Sequence, residues 1–297
     1  IAISIEAWQR EIKKAAGRAG GDKMRGSMKA KRHIITTLWG ASCLVLAGVL
    51  WARCVSPVRG CTQQDLKTAA ADPWAVQAVQ AQTDGQAQEK RVYLTFDDGP
   101  SATTETVLDV LKEKGVNATF FVIAAENNRD HLPILKRTVA EGNEIALHSC
   151  THEYRDIYAS TEAYWADLKE LRQQLAPYVD VAQIHWLRFP GGSTNTVSHR
   201  YGGSEIMKTL KRQAAEKGYR YLDWNVCAED AVGGHPSARE IYENVIGEAK
   251  GQSTCVVLMH DTKATKTTAQ ALPDIIDWFR ENGYEFCTVS QMPPENP

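Results

Sequence analysis

None of the seven cysteines stands in a CxxC pair, which excludes the paired-thiolate framework of a structural zinc site. Neither sign of charge prevails. The 34 Lys and Arg are balanced by 36 Asp and Glu, a formal −2, which argues against a phosphate-binding surface and so against a nucleic-acid partner. Between Ile34 and Ala52 there is no acidic or basic residue at all, directly after a segment, residues 1–33, that carries nine Lys and Arg against three Asp and Glu. A 19-residue run rising ~1.5 Å per residue reaches about 28 Å, close to the roughly 30 Å hydrocarbon thickness of a bilayer. Residues 34–52 are therefore expected to form a transmembrane helix. The small residues of a cleavage site are missing too, because the run ends Leu50-Trp51-Ala52, so an uncleaved signal anchor is preferred over a cleaved peptide. The basic segment stays on the cytoplasmic side, and everything after Arg53 lies outside, single-pass.

From residue 53 to 89 apolar periodicity is scarce and Ala, Gln, Asp and Thr are common, the composition of a spacer. The remainder, 90–292, is one domain. Short apolar strands there alternate with amphipathic helices that close on glycine: Val92–Thr95, Ala118–Ile123, Glu144–Leu147, Ile184–Phe189, Tyr219–Trp224, Thr254–Met259 and Tyr284–Val289. Repeated strand and crossover helix implies parallel strands. The expected fold class is α/β, a distorted and incomplete (β/α) barrel of about seven parallel strands, with an open doubly wound sheet as the other possibility.

Each chemically loaded group falls at or just after the C-terminal end of one of these strands. Asp97 and Asp98 follow the first, His148 and His152 the third, Arg188-Phe189-Pro190-Gly191-Gly192 the fourth, Asp223-Trp224 the fifth, and Leu258, His260 and Asp261 the sixth. A barrel gathers those ends on one face, where active sites are built. Asp97-Asp98-Gly99-Pro100 alone could be a turn, but two adjacent carboxylates repel, and a divalent cation would neutralise them. His148 and His152, four apart, would share a face on a helical turn and could reach one ion. With Asp98 they make the two-histidine, one-carboxylate set of an open catalytic zinc site.

In order and spacing, TFDDGP, HSCTH, RFPGG, DW and LMHD resemble the motifs of the polysaccharide deacetylase family, the carbohydrate esterases that share the NodB homology domain, over about residues 90–290. With the anchor, the chain looks like the membrane-bound peptidoglycan N-acetylglucosamine deacetylases of Gram-positive bacteria. The resemblance implies a metal-dependent hydrolase, with Zn²⁺ or else Co²⁺ held by Asp98, His148 and His152. It implies Asp97 as general base with Arg188 as its partner, and His260 as general acid oriented by Asp223. A backbone N–H near Gly191 would serve the oxyanion, and Pro190, Trp224 and Leu258 would help line the acetyl pocket. The substrate would be a cell-wall or chitin-like polysaccharide at the outer face of a bacterial membrane, with an O-acetyl xylan-type esterase or a noncatalytic glycan-binding module as alternatives. Where some relatives carry Tyr, this chain has Gly191, from which a more open pocket is expected. Asp261 could support the site or cap a helix, and a Cys150–Cys227 disulfide is conceivable in an oxidising compartment.

Overall fold

The computed structural model describes residues 89–293 apart from Gly234. The basic segment, the expected membrane helix at 34–52 and nearly all of the spacer lie outside the described residues. Among the described residues no helix is long and apolar enough to cross a membrane.

Eight parallel strands form one sheet: β1 (Lys90–Asp97), β2 (Thr119–Ile123), β3 (Glu144–Ser149), β4 (Trp186–Leu187), β5 (Arg220–Tyr221), β6 (Val226–Cys227), β7 (Thr254–His260) and β8 (Tyr284–Phe286). Seven of them run in the order β5-β4-β3-β2-β1-β7-β6. The eighth pairs with Lys90–Val92 of β1, on the edge that β2 occupies further along at Thr95–Asp97. The helices are α1 (Ala102–Lys114), α2 (Leu135–Ala140), α3 (Tyr154–Ile157), α4 (Thr161–Leu175), α5 (His199–Gly202), α6 (Ile206–Glu216), α7 (Ala238–Ala249) and α8 (Lys266–Glu281).

The sheet is strongly curled, and one short segment shows why. Leu222 N still donates to Leu187 O beside β4 (3.1 Å), and Asn225 N already donates to Val256 O of β7 (3.2 Å). On a flat sheet the line of Leu222, outside β4, and the line of Asn225, outside β7, would stand six spacings, about 29 Å, apart. Three residue steps reach only about 11 Å. The two flanks must therefore approach each other, and the chain closes an otherwise open barrel without a ladder between β5 and β6. The sequence expectation of about seven strands missed β6, and the long apolar runs expected as the fourth and fifth strands keep only two ladder residues each. Strand pairing there is limited by this crossing rather than by side-chain preference.

Alternation along β1 separates two cores. Val92, Leu94 and Phe96 join the larger cluster toward the helices, while Tyr93 joins Phe121, Ala146, Trp186, Val256, Cys287 and Val289 in a smaller one inside the curl. With a side-chain period of two, Thr95 and Asp97 continue the inner face, so the strand delivers Asp97 to the inside of the barrel mouth. The helices are started locally. Ser101 accepts from Thr103 N (3.0 Å) while Ser101 N donates to Thr104 Oγ1 (2.8 Å), a reciprocal cap worth about 1 kcal/mol that fixes where α1 begins, directly after Ser101.

Candidate active site

The parallel register sets Asp97 directly beside His260, and Thr95 beside Leu258. Both strands point these residues inward, so a base-type carboxylate and an imidazole meet at the mouth by sheet geometry alone. Arg188, just past β4, is fully buried at 0% exposure. A buried guanidinium needs acceptors for its donors, and here each of its three nitrogens has one. Nη1 donates to Asp97 Oδ1 (2.8 Å) and Thr95 Oγ1 (2.9 Å), Nε to Leu222 O (2.9 Å) and Nη2 to Asp223 O (3.1 Å). Its planar face lies 4.1 Å from the Phe121 ring centroid.

After Asp97 the strand stops abruptly. Asp98 takes φ 66°, a left-handed conformation strained for a residue with a Cβ, and Asn128 holds the turn by donating to Asp98 O (2.9 Å) and Pro100 O (3.0 Å). His152 is likewise left-handed at φ 56°. The sequence reading put His148 and His152 on a helical turn. Instead His148 is the fifth residue of β3 and His152 ends a loop. That loop wraps the carboxylate of Asp167, an α4 residue, which accepts from Ser149 Oγ (2.8 Å), Cys150 N (2.7 Å), Thr151 N (3.0 Å) and Thr151 Oγ1 (2.9 Å). Ser149 Oγ then accepts from His152 N (2.9 Å).

The strain brings three donor atoms together. Asp98 Oδ1 lies 3.5 Å from His148 Nε2 and 3.4 Å from His152 Nε2, and one ligand atom from each residue falls within 4.8 Å of the others. His148 Nδ1 is 2.7 Å from Arg188 O; a carbonyl can only accept, so Nδ1 carries the proton and Nε2 presents its lone pair to the cluster. Burial holds the His148 pKa below its ordinary value despite Asp97 and Asp98, which keeps the imidazole neutral as a ligand must be. Burial would raise Asp98, but His152, His148 and His260 together outweigh it and lower its pKa. Asp98 Oδ1 is nonetheless buried without a hydrogen bond. A carboxylate oxygen left that way between two imidazole nitrogens suits a divalent cation.

Two placements correct the sequence reading. Asp223 does not orient His260. It accepts from Ser193 N (2.8 Å) and Ser193 Oγ (2.6 Å), so it braces the Pro190-Gly191-Gly192 loop instead. The partner of His260 is Asp230, whose Oδ1 is 2.8 Å from Nδ1 and whose Oδ2 accepts from His260 N (2.7 Å) and Thr268 Oγ1 (2.7 Å). Burial opposes a charge on His260, but Asp230, with Asp98 and Asp97 beyond it, raises its pKa to about 10. Asp223 leaves the scene because the chain crosses to the other flank immediately after it, and Asp230 is the next carboxylate to face the mouth after that crossing. A second acid shortly before the helix that precedes His260 was the available signal. Asp167, in the middle of an amphipathic helix, offered none.

The other predicted residues fall as follows. Pro190 O accepts from Tyr158 Oη (2.8 Å), Leu258 is on the inner face two residues below His260, and the Trp224 ring lies over Gly192, where an added Cβ would stand 3.2 Å from it. Gly191 has φ 79°, and a Cβ there would meet Tyr154 Oη at 2.8 Å. The space that a side chain at 191 would enter is thus taken by Tyr154. Asp261 caps no helix of its own: its Oδ2 accepts from Thr104 Oγ1 (2.5 Å) and its backbone oxygen from Ser101 Oγ (2.6 Å), joining β7 to the start of α1. Its carboxylate packs where a Cβ on residue 99 would collide, which requires Gly99. Cys150 and Cys227 are both free thiols, because β2, β1 and β7 lie between the strands that lead to them.

Comparison with known proteins finds a match to the polysaccharide deacetylase family model over residues 84–222. The chain is 33% identical to the Bacillus subtilis protein YheN over 203 residues, 67% of this chain and 66% of that one, just under two thirds of its length. It is 31% identical to a peptidoglycan-N-acetylglucosamine deacetylase of Bacillus cereus over 206 residues, 69% of this chain and 88% of the relative. Among solved structures, the catalytic domain of the peptidoglycan N-acetylglucosamine deacetylase of Eubacterium rectale superposes with a TM-score of 0.64 at 36% identity, covering 69% of this chain and 90% of that one.

Proposed function

The chain belongs to the polysaccharide deacetylase family, and from that premise we propose that it removes N-acetyl groups from N-acetylglucosamine residues of a cell-wall or chitin-like polysaccharide. The observation that carries the reading is the unbonded, buried Asp98 Oδ1 between His148 and His152, set beside two complete pairs, Asp97 with Arg188 and His260 with Asp230. Asp98, His148 and His152 would hold a divalent cation, Zn²⁺ by preference and Co²⁺ as a substitute. Such an ion supplies Lewis-acid polarisation of the acetyl carbonyl and makes water a better nucleophile near neutral pH.

The protein's own residues supply the proton movements. Asp97, clamped by Arg188, accepts a proton from the attacking water as the new C–O bond forms. His260, kept protonated by Asp230, gives its proton to the amide nitrogen as the C–N bond breaks, because an amine departs poorly unless protonated. The products are acetate and a free amino sugar. Gly191 N–H donates to no acceptor among the described residues and faces the carbonyl oxygen as charge builds on it. Trp224, Leu258 and Pro190 border the acetyl methyl.

Support for the substrate class comes from the peptidoglycan deacetylases to which the chain is similar, and support for the location comes from hydropathy alone. In this reading residues 34–52 anchor the domain on the outer face of the membrane. Acetate release from N-acetylated chitooligosaccharides, compared with O-acetylated xylan and repeated after chelation and Zn²⁺ readdition, tests the activity. Release only from xylan, or full release after exhaustive chelation, refutes it. Digestion of residues 91–297 by protease added to intact cells tests the location, and protection of that domain would reject it.

A further inference from the structure

Tyr158 and Tyr154 are neighbours with different occupations. Tyr158 Oη is spent on Pro190 O, whereas Tyr154 Oη makes no hydrogen bond among the described residues. The Tyr154 ring is nevertheless fixed, edge-on to His152 with centroids 5.4 Å apart and 5.7 Å from the Tyr158 ring. Its hydroxyl lies over the Gly191 Cα, 2.8 Å from the point a Cβ would occupy, with Cε1 3.3 Å from the same point. Gly191 N–H is also without a protein acceptor. Two free donors, one backbone and one phenolic, therefore stand together at the rim of the Asp98–His148–His152 cluster. An oxygen placed between them could accept from both.

We propose that Tyr154 is a catalytic residue whose hydroxyl donates, beside Gly191 N–H, to the acetyl carbonyl oxygen as negative charge builds on it. The assignment rests on the deacetylase reading above. In that reading the role toward the leaving amine already belongs to His260. A glycine at position 191 fits the arrangement, since any side chain there would displace the hydroxyl from the peptide it serves.

Tyr154→Phe removes the hydroxyl and keeps the ring against His152. On N-acetylated chitooligosaccharide, kcat is expected to fall ~10²-fold, the size found when one oxyanion donor is lost, with KM changed by less than about threefold. Metal content and the thermal unfolding curve should match the wild type. A kcat within about threefold of wild type overturns the proposal, as does a loss confined to KM or one accompanied by loss of metal. A wild-type protein that releases no acetate overturns the deacetylase reading and this inference with it. An active wild type with an equally active Tyr154→Phe overturns this inference alone.

Discussion

On the Asp97 and His260 side of the mouth every charged group has its counterpart in the protein: Arg188 for Asp97, Asp230 for His260, with all the distances near 2.8 Å. On the Asp98 side the same fold holds two residues in left-handed conformations and leaves a carboxylate oxygen bare between two histidines. Both sides are buried and both are polar, so burial does not distinguish them. Satisfaction does. Groups that must keep a proton state and an orientation are tied to strands and hydrogen-bonded fully. In the cluster that must accept something from outside, Asp98 and His152 stand in turns while His148 stays on β3, and the carboxylate is left one partner short.

The largest effect that could break this contrast is at Asp98. Asp98→Asn should empty the site and bring acetate release to background, read by elemental analysis together with the assay. Retention of both metal and rate would make the bare oxygen incidental. Next is Asp97→Asn, which on the proposed reading leaves Asp98, His148 and His152 intact and removes the proton acceptor. The rate should drop ~10²–10⁴-fold with metal retained. Loss of metal instead would mean that the two aspartates have exchanged roles.

Asp230→Asn probes the paired side more gently, with a loss of ~10²-fold or less, at the low end for general acid catalysis. Because the partner raises His260 to about 10, the pair's contribution to stability is fully present below the ordinary imidazole value near 6.5 and fades as pH rises through about 10. The variant should lose that slope in its melting temperature, and the alkaline limb of its rate profile should move to lower pH. An unmoved limb would detach Asp230 from the acid. The smallest effect belongs to Asp261, whose burial raises its pKa to about 7, against the Thr104 hydrogen bond. A raised carboxyl contributes fully below its ordinary value near 3.9 and loses that contribution as pH rises through about 7. Asp261→Asn should therefore melt ~2–4 °C higher than wild type at pH 8, but not at pH 4, in thermal scans of the full protein.

How much of this was legible beforehand follows the same division. Strand ends announce themselves through apolar runs stopped by Gly, Pro and charge, so Asp97, Asp98, His148, Arg188 and His260 were located by pattern. Their meeting follows from parallel register, which is a property of the repeat. What pattern could not give is anything decided by the path of a loop. His152 reaches the cluster through a loop gathered around Asp167, not through a helical turn. His260 takes Asp230 because the chain changes flank after Asp223. Tyr154 fills the space over Gly191 because α3 starts two residues after His152. Each of these depends on residues whose local sequence is unremarkable and whose partners are distant in the chain.

The crossing between Leu222 and Asn225 has a consequence for association as well. The two outermost strands of the seven-strand path, β5 and β6, are two residues long each. A free margin of that length offers an approaching chain only a couple of unpaired amides and carbonyls, too few to template an added strand. Joining the margins by a short covalent strap thus protects a parallel sheet from sticking to its own copies, a hazard that full barrel closure would otherwise have to remove.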